Sequence, residues 1–230
     1  MNSVTYFNLH RPHAERLFAD NNKNATLKKE RLSTCPIDVF HSGIRRVSDL
    51  ALQVKHNKRD ELIIWTWIPG RESIVHHKVL AEFERRGFTG YRLRPATVRF
   101  RDGQVSNDYQ ELIVTGWAGI ARPESGIRVV KSCPGCLWKE YSGLTDAEEL
   151  IDWNQWTGED FFIVWPMPNQ IMITERVADF LLSHHVKSFE FLDLESVDPL
   201  IRNSGFTVAQ LSDVFPEDLA VKYGRPLGLE

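Results

Sequence analysis

The chain has 230 residues, room for one large domain or two small ones that share an interface. With 42% hydrophobic and 26% charged residues it sits in the ordinary globular range, which excludes a disordered or fibrous chain. A net charge of −3 gives no basic excess for nucleic acid, and three cysteines, Cys35, Cys133 and Cys136, do not describe a disulfide-stapled secreted scaffold.

Met1 to Tyr6 lacks a charged start followed by an apolar signal core, and no apolar run reaches the roughly 18 residues of a membrane helix. The expectation is a cytoplasmic protein with no membrane partner. Nothing near His10 and His13 orients either as a base. Asn21 to Arg31 is polar, with Lys23, Lys28, Lys29 and Arg31, and reads as a solvated loop or surface helix, a basic contact patch being the alternative. Ile44, Val47, Leu50, Ala51 and Val54 recur at spacings of three and four, so residues 1–59 read as an N-terminal extension with a short amphipathic helix.

Leu62 to Ile68 is a continuous β-rich apolar run stopped by Pro69-Gly70, the signature of a buried strand. Val75, Val79, Leu80 and Phe83 then share a helical face that should end near Gly87, and Gly90 to Leu93 alternates as a strand towards Pro95. Gln110 to Thr115 reads as a further strand and Gly116 to Gly119 as the turn after it.

About 98 positions later the same order returns. Phe161 to Trp165 is halted by Pro166 and Pro168, Ile171 to Ile173 leads to a helix N-cap at Thr174, Val177, Phe180 and Leu181 share a face, and Phe189 to Phe191 closes the unit. Trp67 then matches Trp165, Val79 matches Val177, Phe83 matches Leu181, Tyr91 matches Phe189 and Leu93 matches Phe191. The recurrence reads as an ancient duplication, with chance sharing of apolar positions by two short units as the alternative. Each half exposes a sheet that one helix cannot cover, so the expected fold is α/β (α+β), two related strand–helix–strand halves packed around a shared core. Residues 60–157 hold the first half and 158–230 the second. At the end, Val208 to Leu219 reads as a helix kinked or divided at Pro216, and Gly224 to Glu230 as a loosely held tail.

Cys133-Pro134-Gly135-Cys136 is the sharpest local motif, because a two-residue spacer lets both sulfurs turn toward one ion. It is half a zinc site, which Cys35 and His41 are best placed to complete. Two reduced cysteines in a tight turn is the alternative. A redox pair should open a helix after a strand, whereas Leu137, Trp138 and Tyr141 read as a turn and short strand. His76-His77 and His184-His185 are adjacent pairs whose side chains point to different helix faces, so they read as surface histidines. Glu190, Asp193, Glu195 and Asp198 read as a soluble face or a surface for a basic partner. No phosphate loop or Gly-x-Ser-x-Gly elbow occurs around Gly116 or Ser125, and no catalytic residue is assigned.

Over roughly Asp60 to Val197 the chain resembles the double-CXXCG motif proteins, a bacterial immunity family. The likeness is carried by Leu62 to Trp67, Cys133 to Cys136, Trp156 to Phe162, Ile173 to Val177 and the strand at Phe189. It departs from the family in having Cys35 alone in Cys35-Pro36-Ile37-Asp38 where a first cysteine pair would lie, and Leu137 where a glycine would follow the second. The resemblance implies stoichiometric binding and neutralisation of a cognate protein toxin, with Trp117, Trp153 and Trp156 as candidate anchors, since tryptophan is enriched among interface hot spots. The spacing of Trp153 and Trp156 fits core or interface equally. The alternative is a small zinc-knuckle regulatory or nucleic-acid-binding module.

Overall fold

A computed structural model describes residues 5–10, 18–21, 29–31, 34–41, 43–66, 72–186, 188–192, 206–208 and 210–229. In chain order come β1 (Tyr6–His10), β2 (Phe18–Asn21), β3 (Lys29–Arg31), β4 (Ile44–Arg46), β5 (Leu50–Val54), β6 (Ile63–Thr66), β7 (Ser73–His76), α1 (His77–Arg85), β8 (Tyr91–Arg99), β9 (Val105–Val114) and β10 (Gly116–Ile120). There follow β11 (Val129–Ser132), β12 (Lys139–Tyr141), β13 (Phe161–Trp165), β14 (Ile171–Thr174), α2 (Glu175–Ser183), β15 (Glu190–Leu192) and β16 (Phe206–Val208), then short helical turns from Leu211 to Leu227. The fold is α+β, as the sequence indicates.

Adding 98 to the residue numbers carries β6, β7 and α1 onto β13, β14 and α2, and the pairing moves with them. Ile63 pairs with Val75 and Ile64 with Ile74, while Phe161 pairs with Ile173 and Phe162 with Met172. The parallel neighbour is β2 for β6 and β10 for β13. One sheet runs β10-β13-β14-β1-β15; its counterpart runs β2-β6-β7-β9-β8 and is closed into a barrel by β5. Different strands fill the fourth place. β9 lies between β7 and β8, with Leu112 opposite Ser73 and Leu93; β1 lies between β14 and β15, with Leu9 opposite Ile171 and Phe191. Each repeat begins with a strand, β1 or β9, and each of these completes the sheet of the other repeat.

This exchange makes the core common property. Val79, Leu80 and Phe83 of α1 pack with Val177, Ala178, Phe180 and Leu181 of α2, together with Leu9 and Leu112. The rings of Phe83 and Phe180 are 5.6 Å apart. Polar ties cross the same join: Trp65 Nε1 donates to the Ser188 carbonyl at 2.7 Å, and Ser188 Oγ to the Glu61 carboxylate at 3.0 Å. Gly90 has φ +88°, and a Cβ there would lie 2.0 Å from the Phe161 carbonyl oxygen, so only glycine allows the second repeat so near. A separate core of Leu50, Leu52, Val54, Ile64, Ile74, Val98 and Tyr109 fills the barrel.

Several expectations are corrected. Ile44 to Val54 is two strands, β4 and β5, not a helix: Leu50, Leu52 and Val54 alternate into the barrel, a period of two that the spacings of three and four concealed. Residues 1–59 are no extension, since they supply an inner strand of one sheet and two strands of the barrel. Gly116 to Gly119 is strand, held by parallel pairing to β13. β8 runs on through Pro95 to Arg99. The tail is tied down, with Leu229 buried and its carbonyl accepting from Leu211 N. Val208 to Leu219 is divided into short pieces, as Pro216 requires. Trp67, Pro69-Gly70, His13, most of Asn21 to Arg31, and Asp193, Glu195 and Asp198 lie outside the described residues. Among the described residues no helix is long and apolar enough to cross a membrane.

Candidate metal centre

Two hairpins build the site. β3 and β4 pair Lys29 with Arg46 and Arg31 with Ile44; β11 and β12 pair Lys131 with Glu140 and Ser132 with Lys139. Both ladders fold about the same point of the repeat, between residues 37 and 38 in one and 135 and 136 in the other. Their tips carry Cys35 and the Val39–His41 turn on one side, Cys133 and Cys136 on the other.

The tips meet. Cys35 Sγ lies 3.6 Å from Cys133 Sγ, and Cys136 Sγ lies 3.9 Å from His41 Nδ1. One ligand atom each from Cys35, His41, Cys133 and Cys136 falls within 4.8 Å of all the others. Sulfurs bound at about 2.3 Å to one tetrahedral ion stand roughly 3.7 Å apart, so the 3.6 and 3.9 Å separations are near those of a closed site. The structure thus brings together the four residues singled out in the sequence as one candidate metal-binding group.

The surrounding backbone suits thiolates. Cys35 Sγ accepts N–H groups from Ile37 and Asp38 at 3.4 Å, Cys133 Sγ one from Gly135 at 3.4 Å, and Cys136 Sγ one from Trp138 at 3.4 Å. Burial pushes the Cys35 thiol up, but the N–H groups of Asp38 and Ile37, aided by the neighbouring thiols, outweigh it and bring it down to about 6. Burial pushes the Cys136 thiol up, to about 11, against the Trp138 N–H that would lower it, and the neighbouring sulfurs of Cys133 and Cys35 add to the rise by disfavouring a second negative charge. A cation between them would remove that conflict and admit the thiolates together. The His41 ring stacks on Trp138 at 4.1 Å and turns Nε2 toward Asp38 Oδ2 at 3.6 Å.

His76, His77 and Asp108 form a second close group. They meet because the chain passes from strand to helix between the two histidines, which a helix-only reading excluded. His76 is buried, not a surface residue, and its Nδ1 accepts the Lys78 N–H at 3.2 Å as the N-cap of α1. That bond occupies the one lone pair of the neutral ring and leaves a proton on Nε2, so His76 acts as a cap and not as a ligand. His184 and His185 are exposed at the end of α2, as expected.

Of the three candidate anchors, Trp117 is 5% exposed and stacks on Tyr223 at 5.6 Å; it is a core residue, a correction to its reading as an interface anchor. Trp153 and Trp156 are half-buried, edge to face at 5.5 Å, and pack on Phe162. Trp153 opens a turn and Trp156 lies in the irregular stretch just after it, so the two are not on one helical face. Ser125 is buried, its hydroxyl donating to the Arg122 carbonyl at 2.6 Å. Sequence reading passed over the residues flanking His41: Ile37, Val39 and Phe40 are exposed, Phe40 to 90%, as are Val129 and Val130 on β11. The signal was the run Ile37-Asp38-Val39-Phe40, three large apolar residues in four between Cys35 and His41.

No family model matches the chain, and no curated protein matches it.

Proposed function

We propose that the protein holds one structural zinc ion on Cys35, His41, Cys133 and Cys136, and that it works by stoichiometric binding of a protein partner through the hairpin tips the ion ties together. Three thiolates and an imidazole are the donor set of closed zinc sites, with no position left for a reacting water. The observation that carries the reading is the exposed run Ile37, Val39 and Phe40 set directly against the four-ligand group. A staple of this kind fixes in place an apolar surface that a short two-stranded hairpin could not hold by itself. The resemblance to double-CXXCG immunity proteins supplies the partner class, a cognate bacterial toxin that the bound protein would mask.

The test is co-expression with candidate toxins encoded beside this gene, scored by survival and by co-purification in equal amounts. Phe40→Ala should weaken the complex by about 2 kcal/mol or more while zinc content is unchanged. Protection at sub-stoichiometric amounts, with turnover of the toxin or its product, would refute binding as the mode of action. Trp156→Ala provides the comparison, since it alters the other aromatic surface suggested by the sequence.

A further inference from the structure

The four-ligand group carries the mark of the duplication. Cys35 and Cys133 are 98 positions apart. The same step takes Pro36 to Pro134, Ile37 to Gly135, Asp38 to Cys136 and His41 to Lys139. The equivalent positions also face one another, for a Cβ on Gly135 would lie 2.8 Å from Ile37 Cδ1. A site at the join of two like hairpins has two equivalent places on each, here 35 and 38 against 133 and 136. Three of these places hold cysteine. The fourth holds Asp38, which stands outside the group of ligand atoms, while His41, three residues on, stands inside it.

We infer that Asp38 is a positioning residue: it occupies a ligand place of the repeat without ligating, and instead holds His41 as the substitute fourth ligand. This rests on the zinc reading above. The residue is anchored on three sides, its N–H donating to Cys35 Sγ at 3.4 Å, its Oδ1 accepting the Phe40 N–H at 2.9 Å, and its carbonyl accepting the His41 N–H at 3.1 Å. Those bonds close the Val39–His41 turn that brings the imidazole to the sulfurs. The other carboxylate oxygen, Oδ2, faces His41 Nε2 at 3.6 Å, a charge placed to favour the tautomer with its proton on Nε2 and its lone pair on Nδ1, the atom 3.9 Å from Cys136 Sγ. Lys139, at the place of His41 in the second repeat, needs no such role because Cys136 binds directly.

The experiment uses the full chain, purified without metal and titrated with cobalt(II), whose absorption reports tetrahedral geometry and the number of sulfur ligands. Wild type should bind one ion per chain. Asp38→Ala should lose about 10- to 100-fold in affinity, and Asp38→Asn, which keeps an acceptor for Nε2–H, should recover most of that. The double variant Asp38→Cys with His41→Ala should bind tightly again, with sulfur-to-cobalt absorption raised by roughly a third as three thiolates become four. Near-ultraviolet circular dichroism of each metal-free variant serves as the folding control. Unchanged affinity in Asp38→Ala, or no recovery in a folded double variant, overturns the role of Asp38 and leaves the zinc reading standing. Failure of wild type to bind cobalt or zinc overturns both.

Discussion

Phe83 lies where the two repeats are least separable, and its removal tests whether they share a core. Its ring is 1% exposed and lies 5.3 Å from Phe161, 5.6 Å from Phe88, 5.6 Å from Phe180 and 5.8 Å from Tyr91. Two of those four partners belong to the second repeat. Phe83→Ala should cost about 3–5 kcal/mol, transfer and cavity terms together, a large part of a total near 5–15 kcal/mol. For a chain of this size that lowers Tm by about 6–20 °C. The equivalent residue, Leu181, is fully buried in the same cluster, and Leu181→Ala should cost about 2–5 kcal/mol. The assay is urea unfolding followed by tryptophan fluorescence and by far-ultraviolet circular dichroism. A shared core requires one transition, seen alike by both probes and moved by either variant. Two transitions, with Phe83→Ala moving one and Leu181→Ala the other, would refute it.

The duplication itself makes further predictions. His185 has φ +52° where the first repeat has Gly87 at +65°, so His185→Gly should relieve left-handed strain and stabilise by about 0.5–1 kcal/mol, read as a rise in Tm. Gly90→Ala should cost about 3 kcal/mol or abolish soluble expression, because its Cβ would meet the Phe161 carbonyl and no side chain can yield there. Chelation of the zinc-loaded protein should lower Tm, since an ion present at 1,000 times its Kd contributes about 4 kcal/mol, and restoring zinc should restore it. An unchanged melting curve would count against a structural ion.

The second repeat was the most legible part of the sequence because its strands are buried on both faces, giving the unbroken runs Phe161 to Trp165 and Ile171 to Ile173. Val79, Leu80 and Phe83 of α1 and Val177, Phe180 and Leu181 of α2 were read correctly for a related reason, a period that no strand imitates over nine residues, whereas Val75, assigned to the same helical face, lies on β7. β5 was misread because Leu50 and Val54 are four apart, a spacing that serves helix and strand equally, and only the buried Leu52 between them decides. β10 was misread as a turn from its glycines. The four residues of the candidate metal-binding group could be named from cysteine and histidine spacing alone, but the role proposed for Asp38 could not, since it depends on a hairpin alignment that the chain reveals only once β3, β4, β11 and β12 are paired.

The exchange of β1 and β9 also bears on the divisions drawn from the sequence after residues 59 and 157, because neither of them separates two complete sheets. A boundary shows in sequence as a linker between segments that each complete their own sheet, and here neither does. β8 turns through Arg101 to Gln104 directly into β9, so the first sheet is closed by a strand that opens the second repeat. The second sheet is closed by β1, which is followed in the chain by β2, a strand of the first. To open either sheet, a strand must be withdrawn that the chain ties to the other. Cys35 with His41 and Cys133 with Cys136 repeat that relation at the hairpin tips, where each repeat supplies two of four ligand atoms. An ion held there would resist the same separation that the exchanged strands resist, and would fix the surface formed by Ile37, Val39 and Phe40 with respect to both repeats at once. If that surface is the binding face proposed above, it would lose little conformational entropy on meeting a partner, which is the requirement for tight association through a small number of exposed side chains.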